Sequence, residues 1–435
     1  MIRIEELYKH YLDHPIICTD SRAVSNGCIF FALKGESFNG NIYAEGALKS
    51  GAVLAVVDEP GVVTDERFFL VDDVLTALQD LARLHRSHFN GPVIGITGTN
   101  GKTTTKELVN AVLSANYLTH ATKGNLNNHI GVPLTILSAD LSSTGIWIIE
   151  MGANHPGEIA FLCNIARPDY GLITNVGKAH LEGFGSLEGV IKTKTELYEF
   201  LKSNGGSAFV CSGQTALMKH VSDLNHLAYG HEVGDYCMGE IVSSDPFLIV
   251  KWYDNEVELL IHTNLVGAYN VDNVLAAVCL GRYFGVAADH IIGAIEQYEP
   301  SNNRSQVMQS ASNQLILDAY NANPSSMKVA LENFALMNTF PKIVILGDMF
   351  ELGAESRVEH EAILTQLKDF DFANVLLIGP RFSEIALDSG FRCFQSTNDA
   401  YEWLVANPIR NASILVKGSR GMKLETLLPA LQDKL

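Results

Sequence analysis

Val93-Ile94-Gly95-Ile96-Thr97-Gly98-Thr99-Asn100-Gly101-Lys102-Thr103-Thr104-Thr105 is the stretch whose reading decides the fold. An apolar strand runs into a turn bearing three glycines. A Lys-Thr pair then opens a helix that continues through Glu107, Leu108, Val112 and Leu113. Strand, glycine turn and helix together make a phosphate cradle. Glycine lets backbone N–H groups crowd an anion, and the helix N-terminus adds partial positive charge. Lys102 reaches terminal phosphates, and the Thr103 hydroxyl is suited to Mg2+. Gly98, Thr99, Asn100, Gly101, Lys102, Thr103 and Thr104 are therefore the expected nucleotide-binding residues. Common phosphate loops also carry a glycine where this chain has Ile96, with Gly95 and Gly98 on either side. The cradle is a variant, which narrows the family.

The totals bound what surrounds this cradle. The 435 residues suggest about three domains, at roughly 150 residues each. A 47% apolar content supplies real cores, and a formal charge of -18 would repel a nucleic-acid backbone or an anionic membrane. Neither is an expected partner. The opening Met1-Ile2-Arg3-Ile4-Glu5-Glu6-Leu7-Tyr8-Lys9 reads as an amphipathic helix without the basic start and apolar core of a signal peptide. No apolar run reaches the ~18 residues of a membrane span. Seven scattered cysteines without a Cys-x-x-Cys pair fit reduced thiols in a cytoplasm.

Three modules follow: residues 1–91, mixed α/β; 92–300, a mostly parallel sheet built on the cradle; and 301–435, alternating strands and helices that read as Rossmann-like. In the first, Asp20-Ser21-Arg22 and Lys34-Gly35-Glu36 sit at strand ends and suit either a small anionic ligand or solvated turns. In the second, strands end at Glu150 and just before His180. Ligands in open parallel sheets lie at such carboxyl ends, which makes both candidate metal ligands. A helix over 187–201 shows an apolar stripe of 187, 190, 191, 197, 198 and 201, with Lys194 in its middle. A buried ammonium is costly unless it is paired or chemically changed, so Lys194 either snorkels or serves the site. Asn270 and Asn273, three apart at a helix start, suit a purine edge or a helix cap. In the third module strands are expected at 314–317, 342–346, 374–378 and 413–416, and polar residues follow them at 318–326, 347–353 and 417–420.

Taken together these stretches resemble the Mur ligases, ATP-dependent amide-forming enzymes of bacterial cell-wall precursor synthesis. The likeness covers all three modules. It is carried by the cradle, Gly124-Asn125-Leu126-Asn127-Asn128-His129-Ile130-Gly131, Gly152-Ala153-Asn154-His155-Pro156-Gly157, Ala179-His180-Leu181-Glu182-Gly183-Phe184-Gly185-Ser186, Asp318-Ala319-Tyr320-Asn321-Ala322-Asn323-Pro324 and Gly347-Asp348-Met349 through Glu351-Leu352-Gly353. The resemblance implies that ATP's γ-phosphate passes to the terminal carboxylate of a UDP-N-acetylmuramoyl-tripeptide. D-alanyl-D-alanine then attacks the acyl phosphate. Lys102 would stabilise the γ-phosphoryl group, and Thr103 and Glu150 would hold one Mg2+. His180 and a carbamylated Lys194 would serve a second. Asn270 and Asn273 match an adenine-contacting motif, although Tyr269 replaces the usual His; Arg304 and Asp318 match contacts to phosphate and ribose.

The resemblance also assigns Ser21, Arg22, Lys34, Gly35, Asn125, Asn127 and Asn128 to the UDP substrate, and Tyr320, Asn321 and Asn323 to the dipeptide side. Asn39-Gly40-Asn41 stands where relatives often have Asp-Gly-His. A monomer is expected, with the third module swinging onto the second. Two rivals stand beside this reading. A nucleotide-driven switch would turn over ATP without an acceptor amine. Another amide ligase of the superfamily would add a single amino acid, or glutamate to folate.

Overall fold

In the computed structural model, which describes residues 4–142, 145–255, 257–301, 303–339, 341–387 and 389–432, the apolar run around Gly95 is the strand Val93–Thr97 and the helix it feeds is Lys102–Ser114. The strand lies inside a nine-stranded sheet, parallel to Tyr170–Ile173 on one side and to Ile146–Glu150 on the other. All of its residues are buried, which is why the sequence is continuously apolar there and does not alternate. Thr119–Ala121 forms one edge. On the other side Ser207–Cys211, Asn225–Gly230 and Cys237–Ser243 continue in parallel before the antiparallel strands Ile249–Asp254 and Val257–His262. Ile96 is paired within the sheet to Leu172 and Glu150, so the phosphate turn begins only at Gly98. Gly95 answers a packing need, since a Cβ there would lie 2.7 Å from Met151 Cε.

Before this sheet comes a four-stranded parallel one, ordered Ile17–Cys18, Ile29–Phe31, Leu54–Val57 and Phe68–Leu70, with a hairpin of Lys34–Gly35 and Phe38–Asn39. The amino-terminal helix is Ile4–Asp13; the expected residues Met1, Ile2 and Arg3 lie outside the described residues. Helix Val74–Ser87 starts where the Asp73 carboxylate accepts from Thr76 N at 2.7 Å. This helix reaches into the central domain. Arg86 donates to the carbonyls of Ala166 and Arg167, Gln79 to that of His129, and Phe89 stacks on Trp147 at 4.1 Å. One apolar cluster runs from Leu7 through Trp147 to Leu224. The expected boundary near 91 is thus a change of sheet within continuous packing.

The third sheet is ordered Gln306–Gln309, Gln314–Asp318, Ser413–Lys417, Lys342–Gly347, Asn374–Ile378 and Arg392–Phe394, antiparallel only at its first pair. The four apolar strands expected here are present. The two edge strands, polar and short, escape a reading based on apolar runs. Helix Leu187–Asn204 buries Val190, Lys194, Leu197, Tyr198 and Leu201, but Leu187, expected in its apolar stripe, is 38% exposed. It is the first residue after the Ser186 cap, before the helix has turned inward.

Candidate active site

Two glycines shape the phosphate turn. Gly98 has φ +144° and Gly101 φ +77°; a Cβ at Gly98 would sit 2.0 Å from Thr174 Oγ1, and one at Gly101 2.6 Å from Asn273 Oδ1. Neither position admits a side chain without displacing what grips the loop. The grip comes from the neighbouring strand end. Asn175 Oδ1 accepts from Asn100 N at 3.0 Å, the Asn175 carbonyl accepts from Thr99 N at 2.9 Å, and Thr174 Oγ1 donates to the Asn100 carbonyl at 2.6 Å. Lys102 Nζ curls into the loop and donates to the Gly98 and Thr99 carbonyls at 2.7 and 3.0 Å. Burial pushes this ammonium down to about 8, against the opposing pull of Glu150.

Glu150 ends its strand beneath the loop. Its Oε1 accepts from Thr103 Oγ1 at 3.2 Å and from Asn127 Nδ2 at 2.8 Å, while its backbone N–H donates to Thr122 Oγ1 at 3.0 Å. Oε2 is buried without a hydrogen-bond partner. A charged oxygen left in that state is costly unless a cation meets it. The residues therefore fit Mg2+, a hard ion that takes oxygen ligands. Among the described residues no three of His, Cys, Asp and Glu gather into a metal-holding group. The protein would supply only part of a coordination shell, as suits Mg2+ at a phosphate site.

Lys194, 2% exposed, is not snorkelling. Its Nζ lies 3.4 Å from the Ala153 carbonyl and 5.4 Å from the Phe184 ring centroid. Burial, and then the charge of Lys102, lowers it to about 7. Phe184 also packs edge-on to His180, at 6.2 Å between ring centroids. His180 caps helix Leu181–Phe184 in a left-handed conformation, φ 49°, and its Nδ1 meets a carboxylate oxygen of Glu351 from the third domain.

Other contacts tie the third domain to the loop. Asn323 Nδ2 donates to Asn100 Oδ1 at 2.8 Å, and Lys178 Nζ pairs with Glu359 Oε1 at 2.8 Å. Arg304 lies 3.7 Å over the Tyr320 ring, with a buried Nε that has no partner; Arg420 approaches the same ring at 5.1 Å. Asp318 accepts from Ser305 N at 3.2 Å and pairs with Lys417. The Asn321 side chain accepts from Ala322 N. Asn270 and Asn273 do not cap with their side chains. Asn273 Nδ2 donates to Asn270 Oδ1 at 2.8 Å and Asn273 Oδ1 accepts from Thr105 Oγ1 at 2.9 Å, so the pair braces the helix behind the phosphate turn. Tyr269, at the position of the family's His, bonds Ser305 Oγ at 2.7 Å.

The residues expected at the UDP end fall in two places. Arg22 is paired to Asp20, beside Ser21; Lys34 bridges Asp58 and Glu59 at 2.9 and 3.1 Å, beside Gly35. Asn41 Nδ2 donates to Asp58 at 2.8 Å and Asn39 Nδ2 to Glu59 at 2.9 Å, so the Asn-Gly-Asn variant joins the Lys34 network. Asn125 is exposed and Asn128 Oδ1 accepts from Ile130 N and Gly131 N in the turn before a helix, whereas Asn127 is drawn to Glu150. Sequence reasoning missed Thr122, Asn127 as a partner of Glu150, and Glu351. Glu351 lay inside a quoted polar motif, but nothing in the motif said what it would touch, and Asn175 was not singled out.

A nucleotide-type phosphate turn, a magnesium-suited carboxylate and a third domain in contact with both define a class, and comparison with known proteins agrees. Residues 15–86 match the catalytic domain of the Mur ligase family, 96–281 the Mur ligase middle domain, and 303–420 the glutamate ligase domain of Mur ligases. The chain belongs to the Mur ligase family. Among its relatives, the UDP-N-acetylmuramoyl-tripeptide–D-alanyl-D-alanine ligase of Bacillus subtilis (strain 168) is 33% identical over 430 residues, covering 95% of this chain and 92% of that one. A crystal structure of MurF from Acinetobacter baumannii superposes with a TM-score of 0.86 at 30% identity, covering 96% and 93% of the two chains. MurF ligase from Thermotoga maritima in complex with ADP gives 0.85 at 28% identity, covering 99% and 98%.

Proposed function

We propose that this chain is the ligase that adds D-alanyl-D-alanine to UDP-N-acetylmuramoyl-tripeptide, consuming ATP, and that it works as a cytoplasmic monomer. Names of relatives spanning nearly the whole chain support the substrates. Among the described residues no helix is long and apolar enough to cross a membrane. The observation that carries the chemistry is that Lys102, the Thr103–Glu150 pair and Asn323 of the third domain all converge on one glycine turn.

The reaction has two displacements. A carboxylate oxygen of the tripeptide attacks the γ-phosphorus, the bond to the bridging oxygen breaks, and ADP leaves. The dipeptide amine then attacks the acyl carbon, loses a proton, and phosphate departs with the C–O electrons. Both steps need positioning and offset of negative charge more than covalent help. Lys102 and the N–H groups of 101–104, beyond the two that Asn175 holds, neutralise charge on the γ-phosphoryl oxygens, a role worth about 10²–10³ in rate for a single donor. Mg2+ held by Thr103 and Glu150, and a second ion at His180 and Lys194, would add charge neutralisation at the transferred phosphate.

Lys194 becomes a ligand by carbamylation. Its neutral amine adds to CO2, forming an N–C bond, releasing a proton and leaving an anion. An amine lowered to about 7 supplies that neutral form at ordinary pH. Arg304 and Asp318 approach the nucleotide from the third domain, with Asn270 and Asn273 behind the loop. Tyr320 and Asn321 face the dipeptide, with Asn323 beside them fastened to the phosphate turn, and Ser21, Arg22, Lys34, Gly35, Asn125 and Asn128 face the UDP substrate, while Asn127 orients Glu150.

Mass spectrometry of products from an acceptor panel tests the assignment. D-alanyl-D-alanine is expected to give the pentapeptide product and single amino acids little. Preferred coupling of a single amino acid would overturn the reading.

A further inference from the structure

The contact between His180 and Glu351 crosses the seam between the central and third domains, and it sets the chemistry of the imidazole. A neutral imidazole carries one N–H and one lone pair. The nitrogen facing the carboxylate is Nδ1; the two atoms meet as a close ion-pair contact without the alignment of a formed hydrogen bond, and a proton held on Nδ1 would turn that contact into one and leave the lone pair on Nε2. Carboxylate, histidine and metal in series is how protein sites fix a ligating ring in one tautomer and one orientation. Both residues adopt backbone conformations that non-glycine residues rarely hold, φ 49° for His180 and φ 60° for Glu351. Such conformations persist only where the surroundings impose them. Phe184, edge-on to the imidazole, holds the ring's plane from the central domain's side.

The seam does not depend on this pair alone. Lys178 pairs with Glu359, and Gly353 lies so close to Glu182 that a Cβ would be 3.3 Å from its Cβ. Glu351 itself remains about half exposed, its side chain 56% accessible. It is placed to act on the ring rather than to serve as buried glue.

We infer that Glu351 is a positioning residue for His180, delivered by the third domain so that Nε2 is presented as a metal ligand only when the domains are docked. The inference rests on the reading above that His180 holds a metal. It makes the second metal position conditional on closure, so that the site which would handle an acyl phosphate is complete only when shut.

The test reads tautomer and metal separately. In ¹⁵N-histidine-labelled protein with ADP and UDP-tripeptide but no divalent ion, His180 is expected as the Nδ1–H tautomer, and Glu351→Ala is expected to lose that preference. In Mn2+ titrations followed by electron paramagnetic resonance, Glu351→Ala should weaken the second ion about 10–100-fold. Glu351→Gln, which keeps an acceptor oxygen, should recover most of that affinity. Glu359→Gln, which removes the charge of the Lys178 pair but keeps an acceptor for it and leaves the domains docked, should leave tautomer and Mn2+ affinity as in the wild type. An unchanged tautomer and unchanged second Mn2+ in Glu351→Ala overturns the inference, as does an equal loss of Mn2+ in Glu359→Gln. Retention of both Mn2+ ions by His180→Ala overturns instead the metal reading of His180; the metal-free tautomer arm keeps the two failures distinct.

Discussion

Lys194 concentrates the site's tension between stability and function. A nearly fully buried amine whose polar contact is one carbonyl at 3.4 Å is a poor core residue. Its folded value, about 7, lies below the 10.5 of a free lysine. Between these values the unfolded chain holds a proton that the native state lacks, so stability attributable to this group rises with pH and is complete only above about 10.5. Denaturant unfolding of wild type and Lys194→Met in CO2-free buffer should therefore show the wild type gaining on the variant from pH 7 to 10.5. A difference that stays flat across that window would contradict the burial argument. The variant is expected to lose ligase activity throughout. The sequence exposed the oddity, because Lys194 falls on an apolar helical stripe, but could not say whether it snorkels. That depended on Ala153 and Phe184, which only the packed helices bring near.

The strand, turn and helix at 93–114 form the element from which the site grows. The two kinds of glycine in it answer different demands. Gly98→Ala would force a Cβ against Thr174 Oγ1 at a left-handed-type φ, and should cost about 1–3 kcal/mol in urea unfolding together with the loss of ADP binding. Gly95→Ala presses only on Met151 and Pro168 side chains. It should cost a comparable ~1–3 kcal/mol, as overpacking does, yet keep ADP affinity in calorimetry. Equal loss of ADP binding in both variants would contradict this division. This element was legible because glycine, lysine and threonine at fixed spacing carry their own chemistry. The edge strands Gln306–Gln309 and Arg392–Phe394 were not, because half-exposed edges need no apolar run. Nor was the tie of Asn127 to Glu150, since spacing along the chain does not encode which strand end a loop will cross.

At the scale of the molecule the two seams differ in extent. The first and second domains share one apolar cluster and the buried Arg86 contacts, so parting them would expose a large apolar surface. The third meets the second through the polar pairs Asn323–Asn100, Lys178–Glu359 and Glu351–His180, which form and part at small cost, and through a small apolar contact in which Val266 and Phe247 join the third domain's core. Small-angle scattering should show compaction when a non-hydrolysable ATP analogue and UDP-tripeptide are added together; an unchanged radius of gyration would argue against closure. Three modules and their order were legible from composition and strand alternation, but the unequal seams were not, because they depend on which helix faces meet.

On the function proposed here, the glycine turn spends ATP only to join two substrates. Phosphate release, measured with each of ATP, UDP-N-acetylmuramoyl-tripeptide and D-alanyl-D-alanine omitted in turn, tests it directly. Sustained release is predicted only with all three present; turnover indifferent to D-alanyl-D-alanine would contradict the account.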